Sequence, residues 1–346
     1  MIRRLLAFTL LLGLAWTGGT GAALAAADLG YSIGDAVIGR ASNGTSILYI
    51  GPLYGGGVKQ AGPVITGDPD DNGLVQQTTI KRDGDNAGAT ITLTWVVAPG
   101  VSAVDIWRLA GAGAQFDPAA TGWAKVKANV TAFTWTDDVS GAVLKVGDGI
   151  NAYYRVVPTG TAQADVFLPA NNARTVGKVD VDFPKGYTLF EAPVWTTDMT
   201  LSTAIGNQLD KTAGGDELYD FSMNKATYAD GSWVGTNVNF EHGRGYYLRI
   251  LNTAKKVTFV GLVALADVNL SLNPSYSMVG NPYPLIKEVS DIFTNVSVGE
   301  ELYDKFANKK TYTADGWVGA TYSFGIGDGF WFRRTGTTAY NWQLRP

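Results

Sequence analysis

The chain has 346 residues, a formal net charge of −4, one histidine and no cysteine. Its basic and acidic side chains are interspersed, so no cluster of positive charge offers an electrostatic footprint for nucleic acid or anionic lipid. The lack of cysteine excludes disulfide staples, thiolate metal sites and a lipidated N-terminal cysteine.

Met1-Ile2-Arg3-Arg4 is a short basic head, followed by an apolar run from Leu5 to Trp16 and a small-residue zone ending Ala23-Leu24-Ala25-Ala26-Ala27. These are the three parts of a secretory signal peptide. A membrane anchor needs about 20 apolar residues, and Gly18-Gly19-Thr20-Gly21 breaks the run before that. Residues 1–27 therefore read as a signal peptide and the mature chain as secreted or held at a cell surface. Cysteine-free export is more usual in bacteria, so a bacterial periplasm or surface is expected. No second hydrophobic span follows, so the mature chain is not expected to cross a membrane with helices.

The composition points to an all-β fold: 43 glycines, 12% aromatic residues and short runs rich in Thr and Val. In residues 28–73, an N-terminal β segment, Ala36-Val37-Ile38 and Ser46-Ile47-Leu48-Tyr49-Ile50 read as strands. The same segment ends in Asp68-Pro69-Asp70-Asp71-Asn72-Gly73. Asp68, Asp70 and Asn72 fall at alternate positions before a glycine, as oxygen ligands do in a calcium loop. Thr79 stands where that loop has its bidentate glutamate, so the motif reads either as a calcium site or as an acidic surface turn. Asp83-Gly84-Asp85-Asn86 is a weaker echo.

Between Leu74 and Leu168 the strands are clearer. Thr90-Ile91-Thr92-Leu93-Thr94-Trp95 alternates polar and large apolar residues, the period of a half-buried strand. Val104-Asp105-Ile106-Trp107-Arg108, Trp135-Thr136-Asp137 and Tyr153-Tyr154-Arg155-Val156 follow. In this order and spacing the four motifs resemble strands B, C, E and F of a fibronectin type III domain. The resemblance covers residues 74–168, under a third of the chain, and implies a β-sandwich serving as a spacer or adhesion module. It departs at Ala152, where the family has its corner tyrosine.

Residues 169–177, opening Pro169-Ala170-Asn171-Asn172-Ala173, read as a polar linker. Beyond them the chain repeats. Glu217-Leu218-Tyr219-Asp220 returns 84 positions later as Glu301-Leu302-Tyr303-Asp304, and the same shift pairs Trp233-Val234-Gly235 with Trp317-Val318-Gly319 and Arg249 with Arg333. A match at fixed spacing marks one supersecondary unit used twice. Two tandem β-rich repeats are expected, 178–264 and 265–346. Each has one short helix, predicted from the spacing of Leu201, Ala204 and Ile205 and of Leu285, Val289, Ile292 and Phe293.

Few residues suit catalysis. His242 stands alone in a glycine-rich turn, is expected to face solvent, and would have to be the base of any Ser-His or Cys-His pair. Asp216-Glu217 and Glu300-Glu301 are strand neighbours that point to opposite faces, so a structural role such as bonding turn amides is expected. Gly243-Arg244-Gly245 and Gly327-Asp328-Gly329 precede strands instead of opening helices, which argues against a phosphate loop. Trp233 and Trp317 persist while their flanks change, as core anchors would. Tyr246-Tyr247 and Phe330-Trp331 are strand doublets whose members must face opposite ways. One of each is expected in the core, and the other is a candidate for stacking on a glycan.

The expected function is that of an exported, non-catalytic surface, matrix or adhesion protein, without a cofactor unless calcium binds. Its partners would be other surface proteins or polysaccharide, with self-association open. A carbohydrate-binding module is the alternative. An outer-membrane barrel is disfavoured by the missing terminal aromatic in Leu344-Arg345-Pro346 and the proline-containing repeats.

Overall fold

In the computed structural model, the described residues are the backbone of two strands, 36–40 and 46–50, and residues 73–344 apart from 139–143, 197, 210–214, 294–295 and 322. The first two strands, β1 (Ala36–Arg40) and β2 (Ser46–Ile50), pair antiparallel from Ala36↔Ile50 to Arg40↔Ser46. The calcium candidates Asp68, Asp70 and Asn72 lie outside the described residues.

From Gly73 on, the chain forms one compact unit made almost wholly of antiparallel sheets. Its first part holds β3 (Val75–Arg82), β4 (Ile91–Val97), β5 (Val104–Ala112), β6 (Ala124–Val130), β7 (Thr134–Thr136) and β8 (Ile150–Pro158). Strands β3-β4-β7 make a three-stranded sheet. Its inner face, with Val75, Ile80, Leu93, Trp95 and Trp135, packs on Ile106, Tyr154 and Val156 of the facing sheet.

That facing sheet does not stop at β8. The next strand, β9 (Val176–Phe183), pairs with β8, and the distant β15 (Lys255–Leu262) pairs with β9 along its whole length. The order is β15-β9-β8-β5-β6. The division expected at 169–177 is therefore bridged, because a strand of the first repeat completes the sheet of the preceding segment. The expected linker is itself tied in. Asn171 accepts from Val75 N (2.8 Å), and buried Asn172 donates to Thr78 Oγ1 and Val156 O (both 2.8 Å). Arg155, 1% exposed, donates to Val166 O (3.0 Å), Thr175 Oγ1 (3.3 Å) and Asn172 O, and lies over the Phe167 ring. Loss of water around it lowers its pKa to about 10.

Strand β8 is buried on both faces, which explains its nearly unbroken apolar run. Tyr154 and Val156 face the sandwich core. Tyr153 and Val157 join Phe116, Trp123 and Val166 in a second core that extends into the first repeat through Phe190, Leu218, Tyr246 and Leu248.

The first repeat continues with β10 (Gly186–Phe190), one helical turn α1 (Leu201–Ala204), β11 (Glu217–Tyr219), β12 (Lys225–Ala229), β13 (Ser232–Gly235) and β14 (Tyr246–Ile250). The second has β16 (Val268–Leu272), β17 (Ser275–Gly280), the turn α2 (Val289–Ile292), β18 (Glu301–Tyr303), β19 (Lys309–Thr313), β20 (Gly316–Gly319), β21 (Gly329–Arg334) and β22 (Tyr340–Leu344). The two five-stranded sheets have one order, β10-β14-β11-β12-β13 and β17-β21-β18-β19-β20. Their registers also agree: Glu217↔Arg249 and Tyr219↔Tyr247 in one, Glu301↔Arg333 and Tyr303↔Trp331 in the other. Each is bracketed by an antiparallel pair, β9 with β15 and β16 with β22.

Two expectations change. The helices are single turns: Leu285 lies before α2 and Phe293 caps it, although both still pack against the second repeat's core. Trp233 and Trp317 are only half-buried, and each closes the border of a core by leaning on its cross-strand neighbour, Tyr228 (5.3 Å) and Tyr312 (5.4 Å).

The glycine-rich turns meet at the boundary between the repeats, and the contact is reciprocal. Glu191 N donates to Gly327 O (3.0 Å), and Gly280 N, at the matching place in the second copy, donates to Gly243 O (2.9 Å). Phe190 bridges Asp328 while Val279 bridges Arg244. A Cβ on Gly245 would sit 2.8 Å from Val279 O, and one on Gly329 would sit 2.7 Å from Phe190 N. These glycines are required by close backbone approach. At the same boundary burial pushes the Glu191 carboxyl well above the ordinary carboxylate range, against one hydrogen bond from Gly243 N.

Candidate functional site

Strand alternation sorts each aromatic doublet as its spacing requires. Tyr246 and Phe330 are fully buried, whereas Tyr247 and Trp331 are half-buried on the outer faces of their sheets. The two outer rings come together across the repeat boundary, where Trp331 Nε1 donates to Tyr247 OH (2.9 Å). Four further rings extend the row in both directions. On one side Tyr247 meets Tyr187 (6.1 Å) and Tyr187 meets Tyr219 (6.1 Å). On the other Trp331 meets Tyr276 (6.2 Å) and Tyr276 meets Tyr303 (6.1 Å). The result is an unbroken row of six rings over two sheets. Tyr187 and Tyr276 stand out most, 57% and 51% exposed.

Successive ring planes turn by 47°, 87°, 49°, 84° and 46° along the row. The row is thus a twisting rail and not a flat platform. A ledge of charge runs beside each half. Glu217 is held by Arg249 (2.8 Å), Lys225 (3.0 Å) and the Tyr219 hydroxyl (2.9 Å), and Glu301 is held by Arg333 (2.7 Å), Lys309 (3.1 Å) and Tyr303 (2.8 Å). Each arginine also lies over the exposed tyrosine of its row, Arg249 over Tyr187 (5.3 Å) and Arg333 over Tyr276 (5.8 Å). These contacts fix the tyrosines in place.

The two glutamates are strongly acidic. At Glu217 partial desolvation opposes the charge, but hydrogen bonds from Arg249, Lys225 and Tyr219 outweigh it and bring the carboxyl down to about 2. At Glu301 the bonds from Arg333 and Tyr303 lead, with the same result, about 2. An unfolded glutamate takes its proton near 4.5. The stability these groups contribute is therefore complete above that pH and is lost as pH falls from there toward 2. The melting temperature of wild type should fall over this window. In a Glu217→Gln, Glu301→Gln double variant the fall should be shallower, and identical acid profiles would remove the ledge from the account of stability.

The other candidates are spent within the fold. Asp216 accepts Leu251 N (2.9 Å) and Glu300 accepts Ser297 N (3.0 Å), the amide-bonding role expected of them. Asp83 takes the hydroxyls of Thr90 and Thr92, and Asp85 pairs with Arg82 and Asn207 N. His242 corrects its expectation, because it is half-buried and stacks on Trp195 (5.0 Å), and desolvation lowers its pKa. Among the described residues no group of His, Cys, Asp and Glu side chains could hold a metal ion, and no helix is long and apolar enough to cross a membrane.

Sequence spacing alone does not mark Tyr187, Tyr219, Tyr276 and Tyr303 as ring contacts. The signal was present, since Tyr219 and Tyr303 lie in the repeated Glu-Leu-Tyr-Asp and Tyr187 and Tyr276 open the matching strands. Only the register shows that all four share one face with Tyr247 and Trp331. No known protein family, curated protein or solved structure matches the chain.

Proposed function

We propose that this is an exported, non-catalytic surface or matrix protein that adheres by binding polysaccharide along the six-ring row. The observation that carries the reading is the continuity of the row across the repeat boundary. A contiguous aromatic band at a folded surface marks an interaction site, and flat rings suit the apolar C–H faces of pyranoses while tyrosine hydroxyls and the arginine ledge offer polar contacts at their rims. The turning of the ring planes favours a single flexible glycan chain over the flat face of a crystalline polymer. Export rests on the basic head, apolar run and Ala-x-Ala zone of residues 1–27.

The fibronectin-like reading of residues 74–168 fits a spacer that carries this surface, and one observation favours it. Strands β3-β4-β7 oppose β6-β5-β8 of the facing sheet, the order that a fibronectin type III sandwich would have, and β9, from beyond residue 168, takes the place of that sandwich's last strand.

Tyr247→Ala and Trp331→Ala test the proposal, since each interrupts the row at its centre. Affinity electrophoresis through gels containing soluble β-glucan, galactomannan or amylopectin should show wild type retarded by at least one polymer. Each variant should lose about tenfold to a hundredfold in affinity, the scale of about 1.4–2.8 kcal/mol for a central aromatic anchor. Variants retarded as strongly as wild type, or a wild type retarded by none of the polymers, would refute polysaccharide binding by this row.

A further inference from the structure

The two sheets carry the same turn with different side chains, and the difference makes the two ends of the row unequal. In the first, Asp220 Oδ1 accepts Ser222 N and Asn224 N (both 2.8 Å); in the second, Asp304 Oδ1 accepts Phe306 N (2.8 Å) and Asn308 N (2.9 Å). The backbones are therefore held alike, including a left-handed residue at Met223 (φ 62°) and Ala307 (φ 63°). The side chains between the anchors are Phe221-Ser222-Met223 in one and Lys305-Phe306-Ala307 in the other.

In the first turn the aromatic is used internally. Phe221 packs against the core under the guanidinium of Arg244 (4.7 Å). In the second turn the matching place holds Lys305, which pairs with Asp328 (2.7 Å), the residue matching Arg244. The contact is kept, but with opposite charge and no ring. The aromatic has moved one place along the turn to Phe306, which is 75% exposed and has no role in a core. Beside it opens a cavity of about 700 Å³ whose walls include Phe306, Tyr303, Tyr276, Trp331 and Tyr247. A volume of that size is within the range of small-ligand sites.

Resting on the polysaccharide reading above, we infer that this cavity is the subsite that grips one end of the bound stretch of glycan. A pyranose face lies against Phe306 there, and its hydroxyls reach the Lys305 ammonium and the Tyr303 phenol. The charge at the cavity selects the class of sugar. Its one ammonium, Lys305, is already paired with Asp328, and Asp304 adds a second carboxylate. Among the described residues that line the cavity, none offers an unpaired cation to a uronate or a sulfate, which favours a neutral pyranose chain at this subsite. The first-repeat end, where the ring is tucked away, serves as an open continuation of the rail.

The repeat supplies its own control. Phe306→Ser installs the residue that the first turn carries at this place, and because Phe306 is exposed the variant should melt as wild type does. Its affinity for the neutral polymer that retards wild type should fall at least tenfold. The reciprocal Ser222→Phe should build a second gripping end and tighten binding at least threefold. Isothermal titration with neutral oligosaccharides of increasing length, alongside alginate as the anionic probe, reads both variants. If Tyr247→Ala weakens binding but Phe306→Ser does not, the subsite is refuted and the row stands. If alginate binds and neutral chains do not, the assignment of sugar class is refuted. If no polymer binds, this inference falls together with the reading it rests on.

Discussion

Replacing Arg155 by methionine should lower stability by about 3–5 kcal/mol, because two buried carbonyl oxygens and a hydroxyl each lose a hydrogen-bond partner. The guanidinium is 1% exposed and donates to three acceptors on the segment between Val166 and Thr175. Methionine has similar bulk but leaves those oxygens buried without donors. In a unit of this size the change corresponds to a fall in melting temperature of about 6–20 °C. Arg155→Lys should fall between, since one ammonium reaches fewer of the acceptors. Because the acceptors belong to the segment that joins the sandwich to the first repeat, limited proteolysis should cut the methionine variant first between Gln163 and Thr175. A methionine variant that melts within two degrees of wild type, uncut there, would show that the network is dispensable.

The second large effect is expected at Gly280. A Cβ there would stand 2.1 Å from the Cβ of Glu191, its counterpart in the other repeat, so no rotamer change can relieve the clash. Gly280→Ala should push the two sheets apart and cost about 3 kcal/mol, the upper end for overpacking, or about 6–12 °C in melting temperature. The obstacle is the Cβ itself, which makes the rescue selective. Glu191→Gly should restore most of the loss in the double variant, whereas Glu191→Ala should not. A coupling below about 0.5 kcal/mol in the glycine cycle, within ordinary additivity, would mean that the two positions do not touch.

The parts of the fold written in local periodicity were readable. Thr90 to Trp95 alternates because one face meets the sandwich core, and the 84-residue match is mirrored in one strand order and one register used twice. What depends on distant pairing was not readable. Nothing local in Val176 to Phe183 says that it will lie beside Tyr153 and also beside Phe259, and so bridge a boundary that proline and asparagine suggested. The six-ring row has the same origin, because its members come from six strands and their adjacency is a property of register. The Gly-x-Gly turns admit another backbone, a use that leaves no trace in spacing. Trp233 and Trp317 were constant for a reason weaker than full burial, closing a core at its border. Each helix stops after one turn although apolar residues at helical intervals continue past it, so its length is not legible in spacing.

The bracketing pairs have a consequence for how such a chain can change. Each five-stranded sheet leaves and rejoins the body between two neighbouring antiparallel strands, β9 with β15 or β16 with β22, so its two ends are side by side. It behaves as a cassette on a hook. Residues gained, lost or exchanged within one cassette alter its own outline without re-registering its neighbour. The first copy can thus keep five more residues than the second between its Pro193 and Glu217, and the outer turns can drift toward new chemistry while the frame that presents them stays fixed.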